Sequence, residues 1–268
     1  MSLKKLRLGE LELKLLYALE EKERVFLSSR DIRSILGVSK VSANKTASRL
    51  TRKKRLIRIR KGLYLFAPFK SGAEGLWSEH ALAVLPYLFG RKEDYSISYW
   101  TALGHYGLTE QLPLGVQVKV TRLKRSFRAL GANFQFILVK NVGENKLEKT
   151  GSNELRFATV EQLVVDCLAR PKYCGGIEEA AKAIWNYRGK MDWSQLVKLA
   201  VESNDAVPRR LGFIIQKLGL KVPRGLGKKY AGLRLLDPSA GENTSSKSKE
   251  WGLTVNIDPD NLVGWTNY

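Results

Sequence analysis

Between residues 11 and 66 the apolar positions run first at helical spacing, then again at helical spacing, then in alternation, and a stop or start residue marks each change. After a first helix, the spacing predicts a short helix ending at Leu36. Ile32, Ile35 and Leu36 form its buried face, and Ser28 or Ser29 caps it by accepting an orphan amide of the first turn. Gly37 supplies the turn, Val38 plugs the core, and Ser39 is placed to cap a third helix from about Lys40 to Lys53. Along that helix Ala43, Ala47 and Leu50 recur at spacings of four and three, so they are expected inward. Lys40, Asn44, Lys45, Ser48, Arg49 and Arg52 are left largely outward. Leu56–Arg60 and Leu63–Phe66 then alternate apolar and polar residues around a Lys61-Gly62 hairpin turn. Helix, helix, turn, basic helix and basic hairpin in this order predict a winged helix-turn-helix.

The pattern breaks over residues 68–75, Pro-Phe-Lys-Ser-Gly-Ala-Glu-Gly, which places a domain boundary there. The expectation is an α+β protein: a winged helix-turn-helix over residues 1–70 and a larger mixed α/β domain over residues 76–268. Helices are expected over 76–89, with Trp77, Ala81, Leu82, Leu85 and Leu88 on one side and Pro86 as a kink or stop, and over 95–108. Strand patterns follow at 116–121, 134–139 and 155–158. Thr159 with Gln162 three residues on marks another helix start, with Leu163, Val164, Cys167 and Leu168 on the apolar face. Further helices fit 177–187, 193–201 and 207–218. The small polar stretch 239–249 reads as disordered before a last strand at 253–257.

Charge sharpens the picture. The chain carries 46 Lys and Arg against 26 Asp and Glu, a formal +20, and residues 1–70 hold 19 basic against 6 acidic residues. Eight of the basic residues fall between Arg49 and Lys61, where the motif is. Such a stripe releases condensed counterions from a polyanion and binds it in a salt-sensitive, sequence-blind way, while a merely solvated basic face is the plainer reading. Sequence discrimination needs contacts to base edges, which the N-terminal part of the second helix of such motifs supplies. The candidates are Lys40, Ser42, Asn44 and Lys45, with Asn44 suited to adenine and Lys40 or Lys45 to guanine. The phosphate-contact candidates are Ser39, Ser48, Arg49, Arg52, Lys53, Arg58, Arg60 and Lys61.

An apolar content of 44% is enough for packed cores. No apolar run reaches the roughly 20 residues of a membrane span, and Glu10 and Glu12 occupy the place of a signal-peptide core, so the expected location is cytoplasmic, without a membrane partner. Two cysteines, Cys167 and Cys174, exclude a disulfide-rich scaffold and a four-cysteine zinc site.

No catalytic group, cofactor or metal site is predicted. His80 and His105 lie in apolar helical patterns and read as core or interface histidines, too scattered from Cys167 and Cys174 for metal-ligand spacing. Asp166 and Glu161 read as a polar helix edge, and Gly225, Gly227, Lys228 and Lys229 as a basic turn lacking the spacing of a nucleotide-binding loop. Two other function classes remain. A winged-helix-targeted, metal-dependent DNA nuclease would draw on Glu144, Glu148, Lys149 and Glu154, whose loose spacing a charged surface explains equally. An RNA-binding interaction module would use the basic loop 122–128 and the aromatics over 95–100.

Taken together, four segments resemble one family. They are the helix-turn-helix with its GLYLFAP wing end, YSISYWTALGHYGLTEQLP, ATVEQLVVDCLARPKYCGGIEEA and RRLGFIIQKLG, within residues 11–220. The chain is similar to the AbiEi-type antitoxins of type IV toxin–antitoxin (abortive infection) systems, winged-helix transcriptional regulators. The resemblance implies a non-enzymatic protein whose N-terminal domain binds operator repeats in double-stranded DNA ahead of its own operon and represses it. It also implies a C-terminal domain that counters a nucleotidyltransferase-like toxin without a stable complex. A homodimer would suit operator recognition, since one winged helix buries little surface. The tail from residue 239 has no counterpart in the resemblance.

Overall fold

The computed structural model describes residues 7–71, 80–89, 94–111, 115–150, 153–227, 230–241 and 246–267. It divides into two compact units, Met1–Glu93 with Phe127–Ala132, and Asp94–Ser126 with Asn133–Tyr268.

In the first unit the order is α1 (Glu10–Glu21), β1 (Phe26–Ser28), α2 (Ser29–Leu36), α3 (Lys40–Arg52), β2 (Leu56–Arg60) and β3 (Leu63–Phe66). The three strands form a sheet in the order β1-β3-β2, both pairings antiparallel. This is a winged helix. Strand β1 is not legible in the sequence because three residues carry no periodicity; pairing with β3 is what makes them a strand. The core includes a cluster of Leu15, Leu16, Leu19, Leu27, Ile32, Leu36, Ala43, Ala47, Leu50, Leu56, Tyr64 and Phe66. Ser28 caps α2 reciprocally, its Oγ accepting from the Asp31 amide at 3.2 Å while the Asp31 carboxylate accepts from the Ser28 amide at 2.6 Å. Of the predicted 76–89 helix, residues 76–79 with Trp77 lie outside the described residues, as do 72–75 of the predicted boundary. Residues 81–88 form a 3-10 turn, Ala81–Val84, followed by the short helix α4 (Leu85–Leu88), which holds Pro86 in its first turn instead of breaking there.

The second unit is built on a mixed sheet in which β4 (Tyr95–Ile97), β5 (Gly115–Val120), β7 (Ala132–Leu138), β8 (Asn145–Thr150) and β9 (Asn153–Ala158) run in the order β7-β5-β4-β9-β8. A short strand β6 (Phe127–Ala129), in the segment that groups with the first unit, precedes β7 along the chain, where the sequence suggested only a basic loop. The predicted helix over 95–108 is corrected to the strand β4 and the helix α5 (Tyr99–His105). All three β4 residues are buried because β4 is a central strand, and such a strand reads as a continuous apolar run that periodicity cannot tell from a helix. The break comes at Tyr99, whose φ of 54° lies in the left-handed region. Strand β8, NKLEKT, escapes sequence reading because it is a polar edge strand with four charged or amide side chains.

Helix α6 (Val160–Ala169), capped by Thr159, packs against α5, β9, α7 (Ile177–Tyr187), α8 (Trp193–Glu202) and α9 (Ala206–Lys217). A small sheet, β10 (Arg234–Leu235), β12 (Leu253–Val255) and β11 (Ser246–Ser248), follows, and two 3-10 turns, Pro259–Leu262 and Gly264–Asn267, come after it. The stretch 239–249 expected to be disordered therefore contains β11, held by pairing to β12; residues 242–245 lie outside the described residues. Arg209 and Arg210 of α9 are buried and act as carbonyl clamps, Arg209 donating to Ala231, Gly232 and Gly252 and Arg210 to Leu168 and Leu235. Among the described residues no helix is long and apolar enough to cross a membrane.

Candidate nucleic-acid interface

Helix α3 begins where Ser39 Oγ accepts from the Ser42 amide at 3.3 Å, and it is set against α2 by Gly37, whose φ of 66° closes the turn while its amide donates to the Arg33 carbonyl. Ala43, Thr46, Ala47 and Leu50 are its buried face. At about 100° per residue, the line diametrically opposite runs through Val41, Lys45, Ser48 and Arg52, all exposed. This line is the crest of the helix. Asn44 and Arg49 are exposed on its shoulders, Lys40 is exposed at the first helical position, and Ser39 is exposed at the cap.

Ser42 sits lower on the flank, half-buried, its amide held by Ser39 and its carbonyl accepting from Thr46 Oγ1 at 3.0 Å. Val41 is absent from the candidates read in the sequence because it is apolar. It is 63% exposed, and its place seven residues before Ser48 was the available signal.

The wing extends the basic surface. Arg58, Arg60 and Lys61 are exposed, while Ile59 between the two arginines is buried. Both arginines face outward, and the β2–β3 register shifts between residues 58 and 60, a bulge that interrupts the regular pairing. Gly62 turns the hairpin at φ 77°, and its carbonyl accepts from the Ser29 amide at 2.9 Å, so the wing turn is tied to the start of α2.

Lys53 is the predicted phosphate contact that the structure assigns to another use. Its ammonium lies 2.5 Å from the Glu12 carboxylate, which is 3% exposed, and 2.6 Å from the Arg7 carbonyl. Burial alone would raise the Glu12 carboxyl, but the hydrogen bonds from Lys53 and from the Gly9 amide outweigh it and hold it below the usual range. Lys53 thus pins α1 to the end of α3. Arg55, part of the same sequence run, is also internal, 2% exposed and directed at the Pro68 carbonyl.

Residues 14–67 match a family described as "Transcriptional regulator, AbiEi antitoxin". The matched AbiEi segment runs from within α1 to just past the wing, and so takes in α3, the hairpin and all the candidate DNA-contacting residues. Over the whole chain, the solved structure of the RV2827C protein from Mycobacterium tuberculosis is similar, with a TM-score of 0.72 over 98% of this chain and 96% of that one at 16% identity. That likeness is one of fold. No curated protein sequence matches the chain.

The second unit gathers two polar clusters. Asp166, expected on a polar helix edge, is instead buried: Ser98 Oγ donates to it at 2.5 Å, Gln162 donates at 2.9 Å, and the Lys119 ammonium pairs with it. Helix α6 is covered on several sides by other elements, so a position that periodicity places at the rim ends up inside. Glu161 accepts from the Asp192 amide. The nuclease candidates do not converge. Glu148 is held by His105 at 2.6 Å and Lys146 at 2.7 Å, Lys149 faces Glu154 across β8–β9, and Glu144 accepts from Gln195. Burial raises Glu148 while Lys146 and His105 lower it, and the balance lies below the usual carboxylate range. Among the described residues no group of three His, Cys, Asp or Glu is arranged to hold a metal ion.

His105 stacks on Phe157 at 3.9 Å, whereas His80, expected in a core or interface, is exposed. Cys167 and Cys174 are buried free thiols. Gly225 and Gly227 both adopt positive φ; Lys228 and Lys229 lie outside the described residues.

Proposed function

We propose that this protein is a sequence-specific DNA-binding transcriptional regulator that represses its own operon as the antitoxin of a type IV toxin–antitoxin system. The observation that carries the reading is the exposed, basic crest of α3 together with an outward basic wing, on a winged helix that matches the AbiEi regulator family. Helix α3 enters the major groove, Lys45 and Asn44 meet base edges, and Arg52, Arg58, Arg60 and Lys61 neutralise phosphates. Bound near a promoter, the protein excludes polymerase. Residues 1–70 form the DNA-binding domain in this reading, and residues 76–268 form the antitoxin-like domain, acting in the cytoplasm against a nucleotidyltransferase-like toxin without a stable complex. Two copies would read the operator repeats.

The test is a gel-shift and footprinting titration on the DNA upstream of the protein's own gene, with scrambled competitor and a salt series. A protected repeat that survives competitor supports the reading. Binding indifferent to sequence that collapses with salt refutes it and favours a general nucleic-acid binder.

A further inference from the structure

The crest of α3 carries one apolar side chain among polar ones. Val41 is 63% exposed, lies in the first turn of the helix, and is flanked by Lys40, Asn44 and Lys45. In water this placement gains little: a β-branched residue is a poorer helix former than alanine, and most of its surface stays in contact with solvent. Single exposed apolar residues are ordinary on protein surfaces, and Tyr17, 67% exposed on α1, is such a case. What sets Val41 apart is its position, opposite the buried face and at the end of the helix that meets base edges in helix-turn-helix proteins.

The major-groove edges of the four base pairs present hydrogen-bond donors and acceptors and a single apolar feature, the C5 methyl of thymine. We propose that Val41 is a specificity-determining residue that packs on a thymine methyl in the major groove of duplex DNA. The chemistry suits the part. Valine has one stiff side-chain torsion, so little rotamer freedom is lost when it docks, and it can neither donate to nor accept from the polar edges of cytosine, guanine or adenine. Asn44 and Lys45, about one turn further on, supply the polar contacts on either side. The proposal rests on the reading of α3 as the major-groove helix.

A duplex is first selected by the full-length protein from a random-sequence DNA library. Each thymine of the selected site is then replaced singly by deoxyuridine, which removes only the methyl, and binding of the wild type and of Val41→Ala is titrated by fluorescence anisotropy. Alanine keeps the helix, and circular dichroism checks the fold. The expected result is one thymine whose replacement weakens wild-type binding about fourfold, the worth of roughly one methyl group removed from water, and whose replacement leaves Val41→Ala unaffected. A selected site at which every uracil form binds the wild type as well as thymine, or at which Val41→Ala loses as much as the wild type, overturns the role of Val41 alone. Failure of the selection to yield any preferred sequence overturns both this proposal and the regulator reading.

Discussion

Lys53 and Lys45 are cations eight residues apart, one just past the end of α3 and the other on its crest, yet their surroundings give them opposite uses. Lys53 neutralises the buried Glu12, so its removal strands a carboxylate in the space between α1 and α3. Lys53→Ala is expected to destabilise the fold by about 1 to 3 kcal/mol, at or below the low end of the range for breaking a buried pair because Lys53 keeps some solvent exposure. A chemical-denaturation curve reads this, and the salt slope of DNA binding should stay as in the wild type.

Lys45→Ala or Asn44→Ala should leave stability unchanged and weaken specific binding by roughly 1 to 3 kcal/mol if either makes a bidentate base contact, with a smaller loss on scrambled DNA. Equal losses on both DNAs would remove these residues from base reading.

The same residues set a pH dependence. Glu12 and Asp31 both titrate below their ordinary values: burial pushes each up, and hydrogen bonds from Lys53 and Gly9, and from Ser28 and Arg24, more than reverse it. A carboxyl with a lower value in the folded state adds stability that is present above its unfolded value and is lost as pH falls through the folded one. Stability of the winged helix should therefore decline below about pH 4.5, the ordinary Glu value, and Glu12→Gln should flatten that acid limb in denaturation curves collected from about pH 7 to about pH 3. An unchanged limb would show that other groups govern it.

At the scale of elements, helix starts and turns were legible because their causes are local. Ser28, Gly37, Ser39, Gly62 and Thr159 act through their own backbone or on close neighbours in the chain, and the structure uses each as its chemistry suggests. Strands β2 and β3 have the bounds read from the sequence, but the expected alternation does not hold in β3, whose four residues are all buried because it is the central strand of its sheet. Strands β1, β4 and β8 did not show, since a short, a central and a polar edge strand each lack the alternation that a half-buried strand displays.

Helix α9 holds a similar non-local constraint. A Cβ added at Gly212 would overlap the indole of Trp251, which is 2% exposed and bonded through its ring nitrogen to Gln216 at 2.7 Å. Gly212→Ala gains about 1 kcal/mol in helix propensity, yet it should lower the stability of the second unit by about 1 to 3 kcal/mol net through overpacking. Intrinsic tryptophan fluorescence during denaturation reads it, and a stabilised variant would show that Trp251 moves aside freely.

At the scale of the molecule, the formal +20 overstates the charge available to a polyanion. Arg55, Lys119, Arg209 and Arg210 are buried and Lys53 is paired, so part of the basic count works inside the fold. In the proposed reading, the exposed cations of α3 and the wing are the ones that would displace counterions. Removing Arg58 and Arg60 together should reduce affinity to a similar extent on every DNA and lower the slope of log affinity against log salt by about 2, roughly one counterion for each phosphate no longer neutralised. A reduction confined to the specific site would move the wing from backbone contact to base reading.

What depends on neighbours along the chain could be read from the residues alone: the helix period of α3, its cap, the turn before it, the wing hairpin and the concentration of positive charge around them. Whether a given cation, carboxylate or apolar residue is used inside or left to meet a ligand follows from how the elements pack. Lys53 finds Glu12 across 41 positions and Asp166 finds Ser98 across 68, while Val41 stays outside the core. The physical reason is that burial and pairing are properties of the space between elements, and that space does not exist until the elements have packed.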